Sequence, residues 1–188
     1  MAHRFNPEHR DRLMSDDRRK ILSAQDVVRF LGVDGSVSIA DVGVGPGYFA
    51  IPAAKSTTGR VYGVDVSSRM LDALQEHASN EGVGNIEVLE GDAQAIPLHD
   101  GAVDRALCAF VLHEVDDLHQ AVSELKRITK PGGKIGVIEW EKRETEQGPP
   151  VSDRLSKDDL RQAFAQVHLH DAEEFQLNPN HYMLTFVN

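Results

Sequence analysis

The sequence predicts an α/β fold in which a mostly parallel, doubly wound sheet ends in an antiparallel hairpin. From residue 36 onward, strand-like apolar segments alternate with amphipathic helical segments, as in βαβ units. Residues 103–112 are nearly continuous in apolar side chains, which is typical of a central strand in a parallel sheet. Residues 168–177 and 181–187 form two strand patterns that only three residues separate, and so short a connection requires an antiparallel pair.

The N-terminal 35 residues predict a helical segment that packs on or over the active site, and residues 36–188 predict one structural unit. Ser23 begins a capping box that opens a helix within this segment. Phe5 and Arg12 are the side chains of the segment that we expect to close over a bound substrate. The alternative is a packed helix that serves stability alone.

The later elements follow from hydrophobic periodicity and from turn residues. The periodicity predicts strands over 37–42, 60–66, 86–89, 103–112 and 134–140, and helices over 48–55, 67–80, 117–129 and 156–166. Ser15 is a predicted N-cap, Gly32 a predicted helix stop, and Pro52 a predicted first-turn residue or kink. Residues 130–133, Lys-Pro-Gly-Gly, predict a turn.

Length and composition indicate one soluble domain of ordinary size. The chain has 188 residues, of which 40% are apolar and 27% charged, enough to bury a core without disulfides. The longest apolar run, residues 106–112, is far shorter than the roughly 20 residues that span a bilayer. The first twenty residues lack the apolar region of a secretory signal. We therefore expect a cytoplasmic protein with no membrane span.

The charge balance argues against nucleic acid as a partner. Twenty Lys and Arg stand against 30 Asp and Glu, which gives a formal charge of −10. Nucleic-acid binding needs clustered basic side chains, so we predict no such partner. The acidity is typical of a surface that keeps the protein soluble.

Residues 41–47, Asp-Val-Gly-Val-Gly-Pro-Gly, lie between a predicted strand and a predicted helix. Glycines there allow a tight turn and close approach of the backbone to a ligand. Gly43, Gly45 and Gly47 form a Gly-x-Gly-x-Gly loop, and Tyr48 stands where the dinucleotide fingerprint has its third glycine. The loop therefore indicates a nucleotide-like ligand and disfavours a nicotinamide-dependent oxidoreductase.

Three further polar features follow the ends of neighbouring predicted strands. Asp65 ends the second strand, where a carboxylate either accepts both ribose hydroxyls of an adenosine or caps a helix. Asp92 and Ala93 follow the third strand, where an acid and nearby amides can hydrogen-bond an adenine edge. His113 and Glu114 follow the fourth strand. Because the carboxyl ends of parallel strands meet at one edge of a sheet, these residues predict a single ligand site.

On these residues the sequence resembles the class I S-adenosylmethionine-dependent methyltransferases, across essentially residues 20–188. The resemblance rests on five motifs, namely residues 41–47, Asp65, residues 91–93, residues 104–112 and residues 130–133. The chain is most similar in character to the small bacterial or archaeal enzymes related to ubiquinone and menaquinone biosynthesis methyltransferases.

The resemblance implies S-adenosyl-L-methionine as cofactor, S-adenosyl-L-homocysteine as product, and a Rossmann-like sheet of strand order 3-2-1-4-5-7-6. Its antiparallel seventh strand matches the terminal hairpin predicted above. The cofactor-binding residues that the resemblance implies are Asp41, Gly43, Gly45, Gly47, Asp65, Val66, Met70, Asp92, Ala93, Ala109 and Phe110. Val66 and Met70 are expected to pack on the adenine, and Ala109 and Phe110 to lie near the methionine moiety.

The chemistry that the resemblance implies needs little from the protein. A sulfonium methyl group is already activated, so the protein must align it and desolvate the nucleophile. A base is needed only where the acceptor must lose a proton. His113 is the candidate base or orienting residue and Glu114 the second candidate, although a packed structural histidine stays open. The run 113–117 lacks the second histidine of a zinc-protease motif, so we predict no metal.

The predicted function is methyl transfer to a small-molecule acceptor, by a monomer or a homodimer. The alternatives are a nicotinamide-dependent oxidoreductase and a non-catalytic S-adenosylmethionine-binding module that tolerates loss of His113. Arsenite methylation is disfavoured by the single cysteine, Cys108, since that activity uses several thiols. Trp140, the only tryptophan, is either a core residue or a wall of the acceptor pocket. The acceptor and its attacking atom stay open.

Overall fold

A computed structural model of the protein describes residues 14–188 and contains a seven-stranded sheet of order β3-β2-β1-β4-β5-β7-β6. The strands are β1 (Ile39–Val42), β2 (Val61–Asp65), β3 (Ile86–Glu90), β4 (Val103–Ala109), β5 (Thr129–Trp140), β6 (His170–Asn178) and β7 (His181–Val187). Strands β1 to β5 pair in parallel, whereas β7 runs antiparallel to both β5 and β6. The predicted fold class and strand order are confirmed. The expected lid residues Phe5 and Arg12 lie outside the described residues.

In the described part of the chain, six α-helices connect or flank the strands. They are α1 (Asp16–Ile21), α2 (Ala24–Leu31), α3 (Ala50–Ser56), α4 (Ser68–Asn80), α5 (Leu118–Ile128) and α6 (Lys157–Gln166). Ser15 and Ser23 cap α1 and α2 by accepting a backbone N–H three residues on, and Ser156 forms a capping box on α6. Gly32 ends α2 at a φ of +71°, and Pro52 lies in the first turn of α3. Within residues 14–188, no helix is both long and apolar enough to cross a membrane.

The helices cover both faces of the sheet, so the fold has three layers and two cores. Leu31, Ile51 and Leu74, from α2, α3 and α4, pack in one core. Leu125 and Phe164, from α5 and α6, pack in the other. The carboxyl edge of the sheet is left between the two helical layers, where open α/β sheets bind ligands.

Strand β4 is shorter than the sequence predicts, because the strand expected over 103–112 ends at Ala109. Phe110 has a φ of +62°, a left-handed conformation that no strand residue adopts. Its backbone N–H donates to the Ile138 carbonyl oxygen at 2.8 Å, which holds the turn. A short 3₁₀ helix, Leu112–Glu114, follows.

Strand β5 is longer than predicted, because residues 130–133 continue the strand and do not form a separate turn. The pairing of β4 with β5 shifts register between Val103 and Arg105, which accommodates the extra residues as an irregularity. Asn188 closes this end, accepting the Gly132 N–H at 2.6 Å and donating to the Gly133 carbonyl oxygen at 3.0 Å. The sixth strand likewise begins at His170, since His168 has a φ of +62°.

Candidate functional site

The carboxyl ends of β1, β2 and β3 are joined by backbone hydrogen bonds. Gly43 and Val44 both donate to the Val64 carbonyl oxygen, at 2.8 and 3.0 Å, and Gly91 donates to the Asp65 carbonyl oxygen at 3.0 Å. The glycine loop, the end of β2 and the turn after β3 therefore form one continuous edge. The predicted motifs of these three strands lie along it.

The glycine loop has positions that only glycine can occupy. Gly43 has a φ of +74°, and a Cβ there would lie 2.1 Å from Cγ2 of Val111. Gly47 has a φ of +98°, and a Cβ there would lie 2.5 Å from Cδ1 of Leu74. Since atoms this close cannot coexist and L side chains rarely adopt such φ values, the loop conformation depends on these glycines.

The Asp65 carboxylate bridges the glycine loop and the start of α4. One oxygen accepts the Gly45 N–H at 2.9 Å, and the other accepts the Ser67 N–H at 2.9 Å. Burial raises the pKa of Asp65, and the N–H donors of Ser67, Gly45 and Val66 partly oppose this shift. Each oxygen keeps acceptor capacity beyond its one hydrogen bond, so the pair of ribose hydroxyls that the resemblance implies fits here.

Asp41 is a buried acid at the start of the glycine motif, with only 2% of its surface exposed. Its Oδ2 atom is buried and has no hydrogen-bond partner among the described residues. Burial, reinforced by the negative charge of Asp65 and opposed by the Ala50 N–H, raises the pKa of Asp41 to about 7. Such a carboxyl suits a cationic or hydrogen-bond-donating ligand group, which would stabilise its ionised form.

The residues that the resemblance assigns to the adenine lie beside Asp65 with contrasting exposure. Val66 is 49% exposed, which is unusual for a large apolar side chain, whereas Met70 and Ala93 are buried. Asp92 accepts the Gln94 backbone N–H at 2.8 Å, which shapes the turn after β3. An exposed valine next to this turn provides an apolar surface for a planar ligand ring.

His113 and Glu139 form a hydrogen-bonded pair between the ends of β4 and β5. The Nδ1 atom of His113 lies 2.7 Å from Oε2 of Glu139, and the His113 backbone N–H donates to Oε1 at 3.3 Å. The side chains are 6% and 1% exposed. Burial lowers the pKa of His113, but the hydrogen bond and charge of Glu139, with Glu114 and Asp153, raise it overall.

The tautomer of the paired histidine follows from its partner. Because a carboxylate accepts, Nδ1 of His113 carries the proton that is donated to Glu139. Nε2 then holds the lone pair of the neutral ring, 3.7 Å from Oε1 of Glu114. This arrangement, in which an acid orients a histidine, can place a general base at the end of β4.

An aromatic group, formed by Phe110, Trp140 and His181, surrounds the point where β4 ends. The His181 ring meets Phe110 at 5.0 Å and Trp140 at 4.2 Å between centroids, edge-on in both cases. The guanidinium of Arg18, from α1, lies 5.3 Å from the Phe110 ring centroid and 4.8 Å from that of Tyr48. Helix α1 thus contributes a side chain to the site edge, next to Ala109 at the end of β4.

His181 is a neutral ring with a buried donor. Asn178 accepts the backbone N–H groups of Asn180 and His181 through Oδ1, so its amide Nδ2 faces Nδ1 of His181, at 2.9 Å. Nδ1 is therefore the acceptor, and Nε2 carries the proton. Nε2 is buried without a partner among the described residues. Burial, with the charges of Arg18 and Arg154, lowers the pKa of His181 to about 4.

Sequence reasoning missed Glu139, Arg18 and His181 as members of the site. Glu139 carried a usable signal, because an acid directly after the apolar run 135–138 of a buried strand needs a partner. Arg18 carried none, since it stands in a charged stretch, Asp-Asp-Arg-Arg-Lys, that is typical of an exposed helix. The role of His181 depends on strand pairing with Trp140, which the sequence does not specify.

Comparison with known proteins points to methyltransferases. The family model described as "Methyltransferase domain" matches residues 40–137, just over half of the chain. A demethylmenaquinone methyltransferase of Geobacillus kaustophilus is 33% identical over 135 residues, covering 70% of this chain and 58% of that protein. A ubiquinone/menaquinone biosynthesis C-methyltransferase of Marinomonas sp. is 30% identical over 128 residues, covering 66% of this chain and 51% of that protein.

The similarity extends to solved structures. The crystal structure of a SAM-dependent methyltransferase from Aquifex aeolicus matches 98% of this chain and 100% of that chain, with a TM-score of 0.91 and 26% identity. By contrast, the chain spans little more than half the length of the two curated relatives above.

Proposed function

The chain belongs to the methyltransferase-domain family, and we propose that it transfers a methyl group from S-adenosylmethionine to a small-molecule acceptor. The observation that carries the proposal is the joined strand edge, where Asp65 is hydrogen-bonded to the glycine loop at Gly45. This edge offers a carboxylate to a ribose and close backbone approach to a nucleoside. The Oδ2 atom of Asp41, which has no hydrogen-bond partner in the described part of the chain, adds an acceptor suited to a cationic ligand group.

In the proposed reaction, some residues of the chain would bind the cofactor and others would transfer a proton. The bound cofactor supplies an electrophilic methyl group on a sulfonium, which needs no further activation. Asp65 and the glycine loop would hold the nucleoside, and the buried strand edge would exclude water from the nucleophile. His113 Nε2 would take a proton from an acceptor hydroxyl, while Glu139 holds the ring and stabilises the imidazolium. Glu114 would add negative charge beside Nε2.

The acceptor that we propose is a small planar ring that carries an oxygen. Phe110 and Trp140 provide apolar ring surfaces, and the neutral His181 provides a buried N–H donor that has no partner within residues 14–188. Such a donor favours an acceptor oxygen, because leaving it unpaired costs free energy. Relatives named demethylmenaquinone methyltransferase support a ring substrate of this kind. We further propose a cytoplasmic protein, a monomer or homodimer, without a nucleic-acid partner.

Cofactor binding is tested by calorimetry and thermal denaturation with S-adenosylhomocysteine and with NAD. We expect S-adenosylhomocysteine at 100 times its dissociation constant to raise the unfolding free energy by about 2.7 kcal/mol. Replacing Asp65 by alanine should weaken its binding by roughly 1.5–3 kcal/mol, the scale of a hydrogen bond to a charged group. Equal stabilisation by NAD would instead support the nicotinamide-dependent alternative.

Catalysis is tested by methyl transfer from labelled donor to hydroquinones, small amines and thiols, compared in wild type and His113→Ala. With a hydroxyl acceptor, the variant should lose roughly 10²- to 10⁴-fold in turnover while keeping its cofactor affinity. Loss of affinity and turnover together would make His113 a structural residue. Cofactor binding without transfer to any acceptor class would favour the non-catalytic binding module.

A further inference from the structure

Arg154 is a buried arginine that binds one stretch of the chain, residues 141–149, which we call the 141–149 segment. The residue is 3% exposed. Its guanidinium donates five hydrogen bonds of 2.7 to 3.1 Å, to oxygens of Glu141, Arg143, Thr145, Gln147 and Pro149. Four of these acceptors are backbone carbonyls and one is the Thr145 hydroxyl. All five N–H groups of the arginine are therefore used to hold this segment.

The 141–149 segment has no helix or strand of its own, since it lies between β5 and a short 3₁₀ helix, Val151–Asp153. Its carbonyl groups cannot be paired in a regular ladder, and a single guanidinium serves oxygens from every second residue instead. Lysine has three donors on one nitrogen and lacks the planar fork of arginine, so it cannot make this set of bonds. The conformation of the segment therefore depends on Arg154.

The 141–149 segment packs directly on the indole of Trp140. A Cβ at Gly148 would lie 2.9 Å from both Cδ2 and Cε3 of Trp140, and Gly148 has a φ of +104°. The guanidinium of Arg154 lies 5.2 Å from the Trp140 ring centroid. Because a side chain at position 148 would collide with the indole, glycine permits this close packing. The segment thus fixes the indole from the side that it covers.

The same indole belongs to the aromatic group of Phe110, Trp140 and His181. The centroid of the Trp140 ring lies 4.2 Å from that of His181 and 6.0 Å from that of Phe110. One ring is therefore shared between the 141–149 segment and the group that the proposed acceptor would meet. Since close-packed side chains transmit displacements to their neighbours, a shift of the segment would move that ring surface.

The two residues at the end of this stretch act by charge on two histidines of the site. Burial lowers the pKa of His113 and Glu139 raises it, and the negative charge of Asp153 adds to the rise. Burial lowers the pKa of His181, and the positive charge of Arg154 adds to that lowering. Consecutive residues thus lie close enough to the candidate base and to the neutral donor to influence them in opposite directions.

We propose that Arg154 is a positioning residue of the acceptor site, which holds the 141–149 segment against Trp140 as one wall of that site. The inference rests on the proposed function, because it takes Trp140 as part of the surface that meets the acceptor ring. Gly148, which has no side chain, lies against the indole, so this wall selects flat rings by shape. Arg154 should therefore affect the binding of the acceptor and leave that of the cofactor unchanged.

The test uses calorimetry on the full chain, first with S-adenosylhomocysteine and then with 2-naphthol, a flat hydroxylated ring, added to the saturated protein. The variants are Arg154→Gln, Arg154→Lys, which keeps the charge, and Gly148→Ala, which adds a Cβ against Trp140. Arg60→Gln is the matched control, because Arg60 precedes β2 at the opposite edge of the sheet and its side chain is 60% exposed. Acrylamide quenching of Trp140, the only tryptophan, reports separately whether the wall has moved.

All three variants should bind 2-naphthol roughly 3- to 10-fold more weakly than wild type, the scale of a lost contact between aromatic rings. Their affinity for S-adenosylhomocysteine should stay unchanged, and their Trp140 emission should be quenched more strongly. The control should match wild type in all three measurements. Where circular dichroism shows that an arginine variant does not fold, Gly148→Ala decides.

Three results would overturn the inference alone, namely unchanged binding of 2-naphthol in the variants, equal weakening of both ligands in folded variants, or full recovery in Arg154→Lys. Full recovery would mean that the charge of Arg154 matters and its set of hydrogen bonds does not. Wild type that binds S-adenosylhomocysteine but not 2-naphthol would refute the proposed acceptor class and the inference with it. Wild type that binds neither ligand would refute the proposed function itself.

Discussion

Replacing Glu139 by glutamine tests whether Glu139 and His113 form a charged, hydrogen-bonded pair. The two carboxylate oxygens of Glu139 accept one hydrogen bond each from His113, at 2.7 Å from Nδ1 and at 3.3 Å from the backbone nitrogen. Glutamine keeps one acceptor oxygen and turns an NH₂ group toward the second donor. The variant therefore removes a negative charge and leaves one N–H donor of His113 unsatisfied.

The loss of unfolding free energy in Glu139→Gln depends on pH, because the pairing with Glu139 raises the pKa of His113 above its ordinary value of 6.5. A group whose pKa is raised on folding adds stability that is fully present below its unfolded-state pKa and is lost as the pH rises through the folded-state pKa. At pH 6 we expect Glu139→Gln to lower the unfolding free energy by about 1.5–3 kcal/mol, as for a hydrogen bond to a charged group. At a pH above the folded-state pKa, where the ring is neutral, we expect about 0.5–1.5 kcal/mol.

Urea denaturation between pH 5.5 and 9 measures this difference, and proton NMR of the His113 ring follows its titration. Glu144→Gln is the control, since it removes the same charge from an exposed side chain of the loop after β5. The Glu139 variant should shift the titration of His113 to lower pH, and the control should not. A stability difference that stays the same from pH 6 to pH 9, or an unshifted titration, would refute the assignment of a charged pair.

Three other predictions concern the glycine loop, the buried acid Asp41 and the net charge of the chain. Gly43→Ala brings a Cβ to 2.1 Å from Val111 at a φ of +74°, so we expect a loss of about 2–4 kcal/mol in urea denaturation. Gly82→Ala, at a φ of +66° in open space, should lose only about 1–2 kcal/mol, and an equal loss in both would contradict the steric argument. Because Asp41 has a pKa of about 7 and attracts an ammonium only when ionised, calorimetry should show affinity for S-adenosylhomocysteine rising as the pH increases through 7, and Asp41→Asn should abolish that rise. With a net charge of −10, the protein should give no gel shift with DNA or RNA, and a shift that fades between low and moderate salt would show the opposite.

The fold was predictable because its signals are local. Apolar periodicity distinguishes strands from helices within a few residues, and the three residues between the strand patterns over 168–177 and 181–187 leave no room for a parallel crossover. The strand boundaries were less predictable. Phe110 has the apolar side chain of a strand residue but a left-handed backbone, which its hydrogen bond to Ile138 holds. Residues 130–133 have the composition of a turn, yet β5 continues through them at the register shift between the Val103–Thr129 and Arg105–Lys134 pairs.

The candidate site also has one part that the sequence predicts and one part that it does not. The side that we propose for the cofactor is a backbone structure, so glycines and a strand-end acid reveal it in the sequence. The rest of the candidate site depends on side chains that meet across long separations. His113 and Glu139 are 26 residues apart, and Arg18 lies over the ring of Phe110, 92 residues further along the chain. No spacing rule connects such residues before the strand order is known.

The raised pKa of His113 bears on which acceptors it can deprotonate. A stronger base takes protons from weaker acids, but a histidine whose pKa is raised is charged over more of the neutral range and cannot then act as a base. The balance is most favourable for a hydroxyl whose own pKa is not far above that of the histidine. Phenolic hydroxyls, with a pKa of about 10, meet this condition far better than aliphatic alcohols. The pairing with Glu139 and the ring surfaces of Phe110 and Trp140 therefore favour the same acceptor class, a hydroxylated aromatic ring.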